Sequence, residues 1–347
     1  MLRKISIGSN FIDGPWGGGN NFSIQLKKYL NLKGIEVINH LNDPDIDLIL
    51  ITEPRKFTKI SSFTHIDVRD YINNINKNTL VLNRINECDE RKNTKGLNKF
   101  LINSSLVSDH TIFISKWLES LFISENFPSS SHSVIHNGAD EMLFKKKELT
   151  NNKNKKVKIV THHWGDNTNK GSKTYENLDK LLLTKNLKNK IEFTYIGNLP
   201  KNCKMNNSRI VSPIYGKQLY EELIKHDIYI TGSINEPAGM HHIEGAMCGL
   251  PILYINSGGV TEYCKDFGIE FNEENLVEKI IEMINNLEKY QKKLLQYPFT
   301  GDKMCKHYLD LFEELYKNKN EILKNRKDSR KIKLLDQRKI LNKYYFL

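Results

Sequence analysis

The sequence predicts an α/β fold in two domains, each a parallel sheet flanked by helices. Three observations predict it. The stretch 226–262, HDIYITGSINEPAGMHHIEGAMCGLPILYINSGGVTE, reads strand–loop–helix–strand–loop–helix. The chain has 347 residues, which at about 100–200 residues per domain suggests two domains. A polar, aperiodic run at 146–156, KKELTNNKNKK, separates one strand–helix series from a second that begins at Val157. The expected boundaries are 1–145, a linker at 146–156, 157–316, and a basic tail at 317–347.

Within the 226–262 stretch, Ile228–Ile230 is a short apolar strand and Thr231–Gly239 a loop rich in Gly, Ser, Asn and Pro. Met240–Cys248 is a helix, with Met240, Ile243, Ala246 and Met247 at helical spacing and Gly249 and Pro251 ending it. Ile252–Ile255 is a second strand, and Gly258-Gly259 opens a loop into a helix from Val260. Ligands of such sheets sit beyond the carboxyl ends of the strands. Glu236 lies in the first loop there, and Glu244 follows eight residues later, about two helical turns in. The spacing directs both carboxylates to one side. The backbone amides near Gly239 and Met240 can donate to hydroxyls or phosphates. Glu236 and Glu244 spaced as E-x7-E, followed by G-L-P (Gly249–Pro251) and S-G-G-x-x-E (Ser257–Glu262), resemble the donor-binding signature of retaining glycosyltransferases of the GT-B fold, family 4 in particular. The resemblance covers about residues 4–316 and implies two Rossmann-like domains facing across a cleft, the GT-B architecture.

In chain order, Lys4–Gly8 is the first strand, and SNFIDGPWGGGNNF (9–22) leads to a helix at Phe22–Leu32 with Phe22, Leu26, Tyr29 and Leu30 on one face. Bare glycine amides between a first strand and a first helix suit phosphate, although the run is neither G-x-G-x-x-G nor a Walker loop. It resembles the family's N-terminal glycine loop, which makes Gly18 and Gly19 candidate donor contacts. Ile35–Asn39 and Asp47–Thr52 are strands. The D-x-D strings at 43–47 read as strand-entry residues, so no metal site is expected there. Thr79–Ile85 is a strand whose polar exit holds Arg84, Asn86 and Glu87. In relatives this place carries a basic residue facing the transferred sugar, which implies acceptor or sugar contacts; a salt-bridged loop is the competing reading. Leu97–Val107 is helical and Thr111–Ser115 a strand. FISKWLESLF (113–122) resembles the family's strand, Ser115 cap and amphipathic helix. VIHNGAD (134–140) resembles the family's V-I-P-N-G-V-D with His136 for proline, and implies that Asn137 lines the cleft.

The second series begins with a strand at Val157–His162. THHWGDNTNKGSKTYENLDKLL (161–182) resembles the family's phosphate loop. Lys170-Gly171 matches its K-G. Its arginine, whose place falls near His163–Trp164, is missing. Lys170 can pair with a pyrophosphate as a point charge, and His162, His163 or Asn167 are open as substitutes. Adjacent residues on a strand face opposite sides, which argues against a His162–His163 metal pair. Ile191–Gly197 and Arg209–Pro213 are strands; Lys217–Lys225, Asn275–Leu287 and Lys303–Tyr316 are helices. The last resembles the family's closing helix, which often crosses back to the N-terminal domain. The tail 317–347 is strongly basic, with Ile332, Leu334, Leu335, Ile340 and Leu341 between the charges. Three readings stay open for it: an amphipathic helix on an anionic membrane, packing on the N-terminal domain, or disorder.

Composition bounds the rest. At 39% hydrophobic and 27% charged residues the chain is globular. No apolar run reaches the roughly 18–20 residues a bilayer needs, and MLRKISIG has no signal-peptide character. Five scattered cysteines without a C-x-x-C pair fit a reducing cytoplasm and argue against zinc. A formal charge of +11 favours anionic partners, yet no nucleic-acid motif appears. The resemblance then implies a metal-independent, cofactor-free glycosyltransferase of the hexosyl type. It would move a sugar from a nucleotide-sugar to a glycan, glycolipid or other hydroxyl acceptor, with retention. Lys170 would stabilise the leaving diphosphate, Glu236 with the Gly239 and Met240 amides would hold the donor sugar, and Glu244 would take the ribose hydroxyls. The expected location is cytoplasmic, with membrane contact through the tail. A non-catalytic sugar-nucleotide or glycan-binding scaffold and a same-fold nucleotide-sugar epimerase are the alternatives.

Overall fold

The computed structural model describes residues 1–14, 17–128, 131–147 and 156–326. The chain forms two compact units. One is made of residues 1–136 together with the chain from Asp302 onward; the other is residues 137–301.

The first unit runs β1 (Lys4–Ile7), α1 (Gly18–Leu32), β2 (Glu36–Ile38), β3 (Leu48–Ile51), α2 (His65–Asn74), β4 (Leu80–Ile85), α3 (Asp89–Lys92), α4 (Leu97–Ser105), β5 (His110–Phe113), α5 (Lys116–Ser124) and β6 (His132–Val134). Its six strands pair in parallel, in the order β2-β1-β3-β4-β5-β6. Strands buried on both faces read as continuous apolar runs, and LILI of β3 and LVLNRI of β4 are buried at every position. Ser115 caps α5 through the amide of Leu118, as expected. Between β3 and β4, α2 begins with a reciprocal cap: Thr64 accepts from the amide of Asp67, whose carboxylate accepts from the amide of Thr64.

The second unit runs β7 (Val157–His163), a 3-10 turn (Thr168–Lys170), α6 (Ser172–Leu181), β8 (Ile191–Gly197), β9 (Arg209–Val211), α7 (Gly216–Leu223), β10 (Ile228–Thr231), α8 (His241–Met247), β11 (Ile252–Tyr254), α9 (Val260–Cys264), β12 (Gly268–Glu270), α10 (Leu276–Asn285) and α11 (Leu287–Leu294). Its sheet is also parallel and six-stranded, ordered β12-β11-β10-β7-β8-β9. Tyr175 and Leu178 of α6 and Leu276, Ile280 and Met283 of α10 cover one face over Ile159, Ile230 and Leu253.

The chain then continues into α12 (Gly301–Lys317) and α13 (Lys319–Lys324). Met304, Tyr308, Leu309 and Phe312 of α12 join Phe22, Leu26 and Leu30 of α1 in the core of the first unit. The expected boundary at 145 therefore moves to 136. Residues 137–147 fasten to the second unit: the amide of Asn137 donates to the Tyr263 hydroxyl, Ala139 bridges Thr300, and the amide of Lys147 donates to Cys248 O. The polar run used to place the linker falls mostly at 148–155, outside the described residues. The start of the expected tail is helical and fixed to the first unit. The Arg326 guanidinium forks onto the buried Asp109 carboxylate and donates to the carbonyl of Lys77. Positions 327–347, on which the membrane reading rests, also lie outside the described residues.

Candidate functional site

In the second unit the loops after β7, β10 and β11 meet at the carboxyl ends of their strands. The turn carrying Lys170 is tied to the loop after β10 by the Ile234 amide, which donates to Asn169 O at 2.8 Å. Gly171 makes that approach possible. It has φ +99°, and a Cβ there would stand 2.6 Å from the Gly232 carbonyl carbon. The loop after β11 closes the other side through Gly258, at φ +65°, where a Cβ would stand 2.5 Å from Glu236 O. The Gly259 amide donates to that same oxygen at 2.9 Å.

These close approaches place Lys170 against Glu236, with Nζ to Oε2 at 2.5 Å and both side chains largely buried. The two residues were separate expectations from the sequence, one for the phosphates and one for the sugar; the structure brings them together. Gly239 sits at φ +76°, where a Cβ would lie 2.9 Å from the His241 and His242 rings. Its conformation lets the chain turn from Glu236 into α8, which begins just after Met240.

Glu244, on α8, is buried and accepts from His162 Nε2 at 2.8 Å. The ring of His163 turns the other way, as alternation along β7 requires, and bonds the Tyr175 hydroxyl at 2.7 Å. Both histidine side chains, read as possible substitutes for the missing phosphate arginine, are engaged within the unit. His163, His241 and His242 are packed together below Lys170. Burial, with the charge of Lys170 adding to it, holds His163 and His241 well below the usual histidine range and His242 down at about 3. Lys170 thus pairs with Glu236 over a floor of imidazoles whose charged form burial disfavours. Among the described residues no group of three or more His, Cys, Asp or Glu side chains is placed to hold a metal ion.

Two features had no separate signal in the sequence. Tyr229 of β10 bonds both the amide and the ring of His162. Trp164 and Tyr215 stand with ring centroids 6.4 Å apart at the exits of β7 and β9. Both pairs join residues more than 50 positions apart, which one-strand periodicity cannot reveal.

In the first unit, Gly18 and Gly19 open α1, and a Cβ on Gly19 would lie 3.2 Å from Asn86 Nδ2. Asn20 is fully buried and pins the preceding loop through the amide and carbonyl of Ile12. Arg84 turns into the core, its guanidinium 3.8 Å over the Phe22 ring and its Nε donating to the Tyr308 hydroxyl. Glu87 is buried and paired with Arg91 at 2.6 Å, the salt-bridged arrangement that competed with a ligand contact. Asn137, read with these three, belongs to the second unit.

Residues 147–297 match the family described as glycosyl transferases group 1. The match spans most of the second unit, which is thus similar to the group 1 glycosyltransferases. No curated protein matches the chain in sequence. Among solved structures, it is similar to Anabaena HepE solved with UDP-glucose, at 12% identity and TM-score 0.66, covering 91% of this chain and 100% of that one. A glycosyltransferase of Rickettsia africae is similar at 16% identity and TM-score 0.66, covering 91% and 99%. Sucrose-phosphate synthase of Thermosynechococcus elongatus is similar at 11% identity and TM-score 0.63, with the same coverage. Likenesses this distant in sequence show the fold, two Rossmann-like domains of the GT-B type. No described helix of the chain is long and apolar enough to cross a membrane.

Proposed function

We propose that the protein transfers a sugar from a nucleoside-diphosphate donor to an acceptor hydroxyl, with retention at the anomeric carbon and without a metal. The observation that carries the reading is the pair of buried carboxylates, Glu236 and Glu244, held by Lys170 and His162 at the carboxyl ends of one parallel sheet. The bond between the anomeric carbon and the diphosphate oxygen breaks, and negative charge develops on that oxygen. Lys170 is the cation able to meet it, releasing Glu236 to hydroxyls of the donor sugar beside the Gly239 and Met240 amides. The acceptor oxygen bonds the anomeric carbon, and its proton passes to the leaving phosphate. Glu244 takes hydroxyls of the nucleotide's ribose. In the first unit, Gly18 and Gly19 supply bare amides for phosphate and Asn86 a polar side chain for the acceptor. Glu87 acts there through position, its carboxylate being paired with Arg91.

HepE binds UDP-glucose, which makes UDP-sugars the first probes. A thermal-shift panel of UDP-, GDP- and ADP-sugars, run with a chelator, tests the donor site. Saturation at 100 times Kd contributes about 2.7 kcal/mol, a rise of about 4 °C for a chain of this size. One nucleotide is expected to give that rise, and Glu244→Ala to lose it. No rise with any donor, or an equal rise in the variant, would refute the reading. The anomeric configuration of the product, read by NMR, tests retention.

A further inference from the structure

Glu244 does not stand alone in its pocket. Its Oε2 accepts from His162 Nε2 at 2.8 Å, whereas Oε1 accepts no hydrogen bond from the described residues. His162 is itself held from behind. The Tyr229 hydroxyl accepts from the His162 backbone amide at 3.0 Å and lies 3.1 Å from the ring's Nδ1. Having accepted one proton, that hydroxyl has its own to give, and Nδ1 at 3.1 Å and the Thr161 hydroxyl are the acceptors beside it. An ionised carboxylate only accepts, so Nε2, 2.8 Å from Glu244, carries a proton and points it at Oε2. Tyr229 and Glu244 are buried, and the His162 and Tyr229 rings meet edge to face at 5.7 Å. A buried carboxylate with a fixed partner on one oxygen has its free oxygen fixed in direction as well.

We infer that His162 is a positioning residue: held by Tyr229, it pins Oε2 of Glu244 and so aims Oε1 at a ribose hydroxyl of the nucleotide donor. The inference rests on the donor reading above and goes beyond it. His162 touches no part of the donor, yet it sets how strongly the site distinguishes a ribonucleotide from its 2′-deoxy form. It also gives the residue beside the missing arginine a role other than phosphate binding.

The test is calorimetric binding of a matched pair, a nucleoside diphosphate and its 2′-deoxy counterpart, to the full chain and to three variants. A hydrogen bond to a charged acceptor is worth about tenfold or more in binding, so the wild type is expected to favour the ribonucleotide by at least that factor. His162→Gln places a donor where Nε2 stands and is expected to keep the ratio within about threefold. His162→Asn reaches only the Nδ1 position, and His162→Ala neither; both are expected to bring the ratio close to unity. A folded Asn or Ala variant with the wild-type ratio would overturn the inference. So would ring nitrogen NMR on the unmodified chain showing the proton on Nδ1, a readout independent of whether any variant folds. If the wild type binds no nucleotide, the donor reading fails and this inference with it; binding with an unchanged ratio sinks the inference alone.

Discussion

At the scale of single residues, the site depends on backbone that only glycine allows. Gly171 carries two penalties for a side chain: a left-handed φ of +99° and overlap with the Gly232 backbone at 2.6 Å. The first costs an alanine about 1–2 kcal/mol, and forcing a methyl into packed backbone adds about 1–3 kcal/mol. Gly171→Ala is therefore expected to lower stability in urea by about 2–5 kcal/mol. Gly34 supplies the control, since it has φ +79° with nothing within 4 Å of a Cβ. Gly34→Ala should show only the first penalty, and equal losses in the two variants would refute the overlap argument. Lys170, Glu236 and Glu244 are legible in the sequence because their spacing along one segment is the signal. The partners that orient them are not. His162 meets Glu244 across 82 positions and Tyr229 across 67, and such pairings exist only once β7 and β10 lie side by side.

At the scale of elements, the strands that read well are the long apolar ones: β4 and β8 emerge within a residue of their expected limits. The three-residue strands β6 and β12 carry too little pattern to stand out. Helix α2 is a different case, because its signals are present in the sequence. Thr64 and Asp67 have the T-x-x-D spacing of a reciprocal cap, and Val68, Tyr71 and Ile72 follow at helical spacing. The cap has a measurable value. The Thr64 side chain accepts from the Asp67 amide, and Asp67 Oδ2 accepts from the Thr64 amide at 2.7 Å. Thr64→Ala is expected to cost about 1 kcal/mol and to speed amide exchange in the first turn of α2. A cost below about 0.3 kcal/mol would mean that packing, not the cap, fixes the start of the helix.

At the scale of the whole chain, two parallel sheets were legible because strand and helix periods alternate throughout. The return of α12 to the first unit was implied only by resemblance, since its stripe of Met304, Tyr308 and Phe312 reads the same whichever core it enters. The two cores differ in a way that acid should expose. Burial depresses His65 and His110 to about 4 in the first unit. In the second it depresses His226 to about 4, His242 to about 3, and His163 and His241 well below 6.5. A group whose folded pKa lies below its unfolded one contributes stability that is whole above the unfolded value. That contribution drains away as pH falls toward the folded value, because only the unfolded chain takes up the proton. Between pH 6.5 and about 4, each such histidine can contribute a slope of about 1.4 kcal/mol per pH unit. Four such groups against two predict that the second unit loses stability faster than the first between pH 7 and 5, before most carboxylates protonate. Amide exchange followed separately in β10 and β4 against pH measures it. Equal losses in the two strands would show that the buried rings of the second unit take up protons without unfolding, and that the floor beneath Lys170 is charged in acid.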